Sequence, residues 1–304
     1  MNGPTDSPRL LLARALRQKC DRGETRVRLS PEDRAALKRY LKSSRPASAR
    51  QTPPPTPSTP NPAPSAQHPA HRTQHPAPQT PQPDLPLENL ILPGAGKAEQ
   101  IEYLRRIALA CARCPHLVAT RTQVVFGVGD IDADLMFVGE APGADEDQQG
   151  EPFVGRAGQL LTKMIETMGL SRAQVYIGNV LKCRPDMPRG STGNRQPTES
   201  EMATCLPYLQ AQVAIIKPKV IVTLGGTAIQ GLLGLAGGVG WHRGHWQQYD
   251  GIPVMPTYHP AYLLRSGSIE TKRKVWEDLL AVMERLGMPI SAKQRGYFLK
   301  GKGA

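Results

Sequence analysis

The sequence predicts an α/β domain of three layers, α/β/α, built on a mostly parallel central sheet. Three observations carry that prediction. Short apolar runs alternate along the chain with amphipathic stretches of helical period. Gly- and Pro-rich polar turns separate them, as strand-helix units require. And Leu135–Leu161, LMFVGEAPGADEDQQGEPFVGRAGQLL, passes from an apolar run through a long acidic loop into a helix. Open α/β sheets build their sites in such loops, at the carboxyl ends of strands.

Taken in order, Lys97 to Cys111 places Ile101, Leu104, Ile107, Ala108 and Ala110 at helical spacing. Val124–Phe126 reads as a first strand and Leu135–Val138 as a second, buried one. The loop with Gly139, Pro142, Gly143 and Gly150 follows, then a helix opened by Gly155 and Gly158 that turns Leu160, Leu161 and Met164 inward. Val175–Val180 reads as a third strand, and residues 184–197 as loop. Glu199–Ile216 is a helix with Thr198 as its N-cap. Val220–Leu224 is a strand, Thr227–Leu233 a helix, and Ile252–Met255 a strand ending at Pro256-Thr257-Tyr258-His259-Pro260. An amphipathic helix over Ile269–Leu286 closes the domain.

Not all of the 304 residues suit one folded unit, since apolar content is 39% and there are 30 prolines. Fourteen of those prolines fall between Ser43 and Pro86 among Ser, Thr, Gln and Ala, a composition unable to bury a core. Residues 44–86 are therefore expected to be a disordered, partly polyproline tether. His68, His71 and His75 within it are read as composition, not as a metal tract. Residues 1–43 are basic, with two short helices expected, the second capped by Ser30 with Pro31, Glu32 and Asp33 in its first turn. The folded domain is expected over 87–290, with 291–304 as a tail.

A net charge of +12 favours a polyanionic partner, nucleic acid first. With no signal peptide and no apolar run of membrane-spanning length, the expectation is an intracellular protein with no membrane partner. Five cysteines there point to metal or redox chemistry rather than disulfides. Cys20 lies outside the domain and reads as a spare thiol. Cys111 and Cys114 form a CxxC, and Cys183 and Cys205 follow far downstream. On ligand count alone zinc and an iron–sulfur cluster fit equally; the wide split of the second pair leans toward a cluster.

Several motifs combine with these cysteines: Gly139-Glu140-Ala141-Pro142-Gly143, Glu146-Asp147, Gly150-Glu151-Pro152-Phe153-Val154-Gly155-Arg156-Ala157-Gly158, Asn179-Val180-Leu181-Lys182-Cys183-Arg184-Pro185, and Thr257-Tyr258-His259-Pro260-Ala261-Tyr262-Leu263-Leu264-Arg265. With them the chain from about Leu87 to Leu286 resembles the family 4 uracil-DNA glycosylases, the iron–sulfur branch of the superfamily. One departure is a Cys183–Cys205 interval longer than that family's, with Met187 to Gly193 as extra loop. The resemblance implies a DNA-repair hydrolase that flips uracil out of the stack and cleaves its N-glycosidic bond. It implies a [4Fe–4S] cluster, in preference to zinc, on Cys111, Cys114, Cys183 and Cys205.

The resemblance also assigns roles. Phe153 would stack on the flipped ring, a core position beside Val154 being the competing reading. Asn179 would read the uracil edge, because a carboxamide offers donor and acceptor side by side. His259 would donate to uracil O2 in an oxyanion-hole role. Glu140 would position or activate water, and the backbone at Ala141 and Gly143 would hold ligand oxygens. Glu146 would be a secondary participant and Asp147 structural. Leu263 would enter the emptied stack from the minor groove, with Arg265 on a phosphate. Arg184, Arg156, Lys182, Arg189, Arg195 and Arg243 would add phosphate contacts.

The expected partner is uracil-containing DNA. The expected protein is a monomer, cytoplasmic and nucleoid-associated, whose N-terminal segment reaches a repair or replication protein. Two alternatives stand beside this. One is a non-catalytic iron–sulfur module for DNA binding or redox sensing. The other is a relative that traps DNA covalently through a histidine loop, to which Trp241-His242-Arg243-Gly244-His245 bears a passing likeness.

Overall fold

The computed structural model describes residues 96–187 and 193–299. The expectations for residues 1–43, for the tether 44–86, for Cys20 and for Arg189 lie outside the described residues. Six strands form one sheet: β1 Val128–Gly129, β2 Leu135–Gly139, β3 Tyr176–Asn179, β4 Val220–Leu224, β5 Gln247–Tyr249 and β6 Ile252–Thr257. Ten helices are described: α1 Lys97–Leu109, α2 Pro115–Val118, α3 Ala144–Gln149, α4 Arg156–Thr167, α5 Glu199–Ile216, α6 Gly226–Leu233, α7 Val239–His242, α8 Pro260–Ser266, α9 Ile269–Arg285 and α10 Ala292–Gly296.

The strand order is β1-β3-β2-β4-β6-β5. The central four are parallel, and β1 and β5 pair antiparallel at the two edges. Strand β2 is buried along its whole length because both faces are covered. Met136 and Val138 point into one core with Leu104, Leu209, Val213, Ile221 and Ala228, from α1, α5, β4 and α6. Leu135 and Phe137 point into the other with Leu161, Ile165, Val222, Leu279 and Met283, from α4, β4 and α9. The period-2 alternation of a strand thus feeds two apolar layers, which is the predicted three-layer α/β/α arrangement.

Helix α5 begins and ends where the sequence places it, with Thr198 Oγ1 accepting from the Glu201 amide at 3.2 Å. Three expectations are corrected. Val124–Phe126 is not a strand: it is a buried connector whose Val125 N–H donates to the Lys182 carbonyl at 2.7 Å, and the edge strand starts at Val128. The acidic loop contains a short helix, α3. Residues beyond 290 include α10, which Ser291 caps and which packs on the domain through Trp276 Nε1 on the Gln294 carbonyl, 2.6 Å.

Candidate active site

Four adjacent parallel strands end on one side of the sheet, and each delivers a site residue there. Strand β2 ends at Gly139 and hands the chain to Glu140, and β3 ends at Asn179, opposite Gly139 in register. Strand β4 ends at Leu224 ahead of Gly225, and β6 ends at Thr257, two residues before His259. Sheet order, not sequence proximity, assembles the site. A cavity of about 550 Å³ opens at these ends, lined among others by Glu140, Ala141, Gly225, Thr227, His259 and Arg265.

His259 caps α8. Its Nδ1 accepts the Ala261 N–H at 3.1 Å. An accepting Nδ1 carries no proton, so the neutral ring holds its proton on Nε2 as a donor. Burial, helped by the charge on Arg265, lowers its pKa from 6.5 to about 4, so the ring is neutral at pH 7. Gly225 has φ +97°, and a Cβ there would stand 3.2 Å from the His259 Cβ. A side chain at that position would crowd the histidine and strain the turn.

Glu140 shares the cavity. Burial raises its pKa, opposed by the Thr227 hydroxyl, which donates to Oε2 at 2.5 Å. Sequence reading missed Thr227. The one signal was the start of a helix straight after β4 and Gly225-Gly226.

Asn179 and Phe153 are buried beside the strand ends, 2% and 6% exposed. The Phe153 ring stacks on His259 with centroids 5.6 Å apart at 30°. A Cβ on Gly139 would stand 2.4 Å from both Asn179 Oδ1 and the Phe153 ring tip, so only glycine leaves room between them. Asn179 Oδ1 is buried with no hydrogen-bond partner. An orphaned buried acceptor costs about 1–3 kcal/mol and calls for a partner that the protein itself does not supply. Phe153 itself holds φ +56°, uncommon for a bulky residue; Arg172 fixes it by donating to the Phe153 and Pro152 carbonyls at 3.2 and 2.9 Å.

The acidic loop is knotted by its own carboxylates. Glu146 accepts the amides of Gly143, Val154 and Gly155, each at 3.0 Å. That engages Glu146 and the Gly143 N–H, both expected in substrate binding, in holding the loop. Ala141 stays at the cavity wall. Asp147 is structural as expected, both its oxygens accepting the Thr122 N–H at 3.0 and 2.9 Å.

Lys182 is not a phosphate contact. It is 2% exposed, with Nζ donating to the Asn179 carbonyl at 2.9 Å and to Gln212 Oε1 at 2.5 Å. Gln212 in turn donates to Tyr176 Oη and the Phe126 carbonyl, both at 2.9 Å. A buried polar network therefore backs the strand end that carries Asn179. Sequence reading missed Gln212, which sits among Val213, Ile215 and Ile216 in the last turns of α5.

Cys111, Cys114, Cys183 and Cys205 line one small pocket with Leu117, Arg121, Leu181, Thr204 and Tyr208. Arg121 Nη1 donates to Cys183 Sγ at 3.0 Å, and the Lys182 amide donates to Cys205 Sγ at 3.2 Å. Burial raises the thiols of Cys114 and Cys183 and pushes Cys205 up to about 12, opposed there by Lys182. Such sulfurs become thiolates when a metal replaces their protons, and donors aimed at them then gain strength. The residues present fit an iron–sulfur or zinc ligand set.

His116, Asp186 and Glu201 also bring three ligand-type atoms within 4.8 Å of one another. A guanidinium already serves them: Arg195 donates to Glu201 at 2.6 and 2.9 Å and pairs with Asp186, while His116 meets Glu201 at 2.7 Å. This ion-pair knot closes the base of the long loop and sets Asn194, Arg195 and Gln196 at the cavity rim.

Other expected DNA contacts divide. Arg265 lines the cavity, and Arg156 is exposed on α4. Arg184 donates to the Gly193 carbonyl at 2.9 Å while its Nε has no partner, and Arg243 is committed to Asp278 at 2.7 Å. Leu263, expected as the wedge, is 5% exposed and packs into the core, whereas Tyr262 and Leu264 beside it are each 42% exposed. A wedge has to reach solvent, and in this structure Leu263 is packed in the core.

Residues 126–280 match the family model of the uracil DNA glycosylase superfamily. A type-4 uracil-DNA glycosylase of Thermotoga maritima is 44% identical over 185 residues, covering 60% of this chain and 93% of that protein. One of Sulfurisphaera tokodaii is 40% identical over 213 residues, covering 67% of this chain and 92% of its own length. A type-5 uracil-DNA glycosylase of Pyrobaculum aerophilum is 30% identical over 216 residues, covering 60% and 90%. With the strand-end site, the cysteine pocket and these likenesses together, the chain belongs to the uracil DNA glycosylase superfamily and, within it, to the type-4 branch.

Proposed function

We infer that this protein removes uracil from DNA in repair, hydrolysing the bond between N1 of the base and C1′ of deoxyribose. The observation that carries the reading is the orphaned Asn179 Oδ1, at a strand end paired with Gly139, next to the cavity that Glu140 and His259 line. Uracil presents a donor, N3–H, where cytosine presents an acceptor. An unpaired buried acceptor therefore selects uracil over cytosine, and rejection of the wrong polarity is strong because it leaves two acceptors facing.

The base leaves the stack and enters the cavity. To reach Asn179 it displaces the Phe153 ring tip and then stacks on that ring. His259 Nε2–H donates to uracil O2. As the C1′–N1 bond breaks, its electron pair goes to uracil, and the charge gathering on O2 strengthens that hydrogen bond. Glu140 holds water on the sugar side. Its carboxylate accepts the water's proton as oxygen bonds to C1′, and solvent returns a proton to the released uracil anion. Burial that raises the Glu140 pKa makes it a stronger base for this step.

We also propose that the four cysteines hold a [4Fe–4S] cluster. Four cysteines converge on one buried pocket, and the likeness to type-4 uracil-DNA glycosylases supports a cluster over zinc there. When bound, the cluster supplies cross-links between the end of α1, α2, the segment after β3 and α5.

The test is release of base from matched single strands carrying uracil, cytosine or thymine, followed by alkaline cleavage of abasic sites on a gel. Cleavage at uracil alone is expected. DNA binding without release of any base would overturn the reading in favour of a non-catalytic module. The covalent alternative gains no support from His242, whose Nε2 is spent on the Ala236 carbonyl at 2.9 Å.

A further inference from the structure

Trp241 is 85% exposed, the most exposed of the large apolar side chains among the described residues. It sits on α7, a four-residue helix that buries no side chain of its own. Such a segment has no apolar reason to hold still, yet it is fastened on both sides. His242 Nε2 meets the Ala236 carbonyl at 2.9 Å. Arg243, next along, donates to Asp278 at 3.1 and 2.7 Å and to the Lys274 carbonyl at 2.6 Å, and lies 5.9 Å over the Tyr258 ring. Asp278 is itself fixed by the Thr257 hydroxyl at 2.6 Å, at the end of β6. At the other end of α7, Val239 forms part of the cavity wall. The helix is a clamped bracket on the rim of the cavity, and what it presents to solvent is an indole face.

We propose that Trp241 stacks on the base neighbouring the extruded uridine, on the same strand. This rests on the uracil-excision reading. Extruding a nucleotide into the cavity draws its neighbours to the rim and strips one of them of a stacking partner. A pre-organised aromatic face replaces that partner with little ordering cost and without regard to sequence, since every base has a π-face. Charge favours the same occupant: Arg265 lines the same cavity, and the chain carries +12. The exposed sequence neighbours Gly238, Gly240, Gly244 and His245 are small or polar, so the segment itself adds no further large apolar side chain to the ring.

The chain has three tryptophans. Trp276 is 3% exposed, and Trp246 is partly buried beneath Arg285, whose guanidinium lies 5.3 Å from its ring. Emission that changes on DNA binding therefore reports chiefly on Trp241. Full-length protein is titrated with a uracil-free single strand and then assayed for uracil release. Quenching is expected in the wild type and is expected to be lost in Trp241→Phe, which keeps affinity within about twofold. Trp241→Leu and Trp241→Ala are expected to weaken binding and raise KM by about fivefold or more, the low end for one base–aromatic stack. Unquenched emission, or Trp241→Leu binding like the wild type, overturns the stacking proposal. If the wild type nevertheless releases uracil, only this inference falls; if it releases none, the excision reading falls with it.

Discussion

The Ala261 amide on Nδ1 of His259, and burial that lowers the ring's pKa to about 4, together leave a neutral Nε2–H donor in the cavity. Glu140 is shifted the other way: burial favours its protonated form above the ordinary 4.5. The reaction needs Glu140 as carboxylate and His259 neutral. As pH falls, Glu140 takes its proton first, at a higher pH than an ordinary glutamate, and His259 follows only near 4. The acid limb of kcat/KM is therefore expected to belong to Glu140 and to vanish from the residual activity of Glu140→Gln. A limb that instead disappears in His259→Asn would contradict the assignment. Asn179, His259 and Glu140 were legible as neighbours because motif and strand end coincide, whereas Phe153 rested on its motif alone. Lys182 and Leu263 were misread because a basic or apolar residue in a motif does not tell which way its side chain turns. Lys182 points inward to Gln212, 30 positions away in sequence, a contact only the fold creates.

Helix α5 does more than cover the sheet. It carries Cys205 toward the cysteine pocket, Gln212 toward Lys182, and Glu201 into the knot that shuts the long loop. The hydrogen bonds from Arg195 hold Glu201 down to about 2 from an ordinary 4.5. A depressed carboxylate stabilises the fold above its unfolded value, and that contribution fades as pH falls from about 4.5 toward 2. Glu201→Gln is expected to cost about 3 kcal/mol in urea unfolding at pH 7, because it leaves Arg195 short of a partner, and the gap to wild type should narrow below pH 4.5. An equal gap at every pH would count against the knot. At this scale the long elements were legible, α5 to the residue, since period and cap agreed at Thr198. The edge strands were not: β1 has two residues and β5 three, too short to show a period. Val124–Phe126 is apolar enough for a strand but spends its burial on a connector.

For the molecule as a whole, the cysteine pocket joins segments distant in sequence, the CxxC near α1 and the two cysteines on either side of the long loop. The cross-link proposed there would restrain the same β3-to-α5 region that supports Asn179. Cys183→Ser is expected to lose the visible absorption of the cluster and to lower the melting temperature in one step. Full stability with an unchanged four-iron spectrum would contradict it. Arg265 and Arg156 are exposed, whereas Arg195 and Arg243 pair with carboxylates of the protein itself.

The central claim is that Glu140 and His259 act on one extruded uracil. Single-turnover excision on a uracil-bearing strand at saturating enzyme tests it most directly, with the two variants matched to wild type for folding and cluster content. Loss of one oxyanion donor in His259→Ala is expected to slow the step about 10²–10³-fold, and Glu140→Gln by about 10²-fold or more. Rates within about threefold of wild type in either variant would contradict the account.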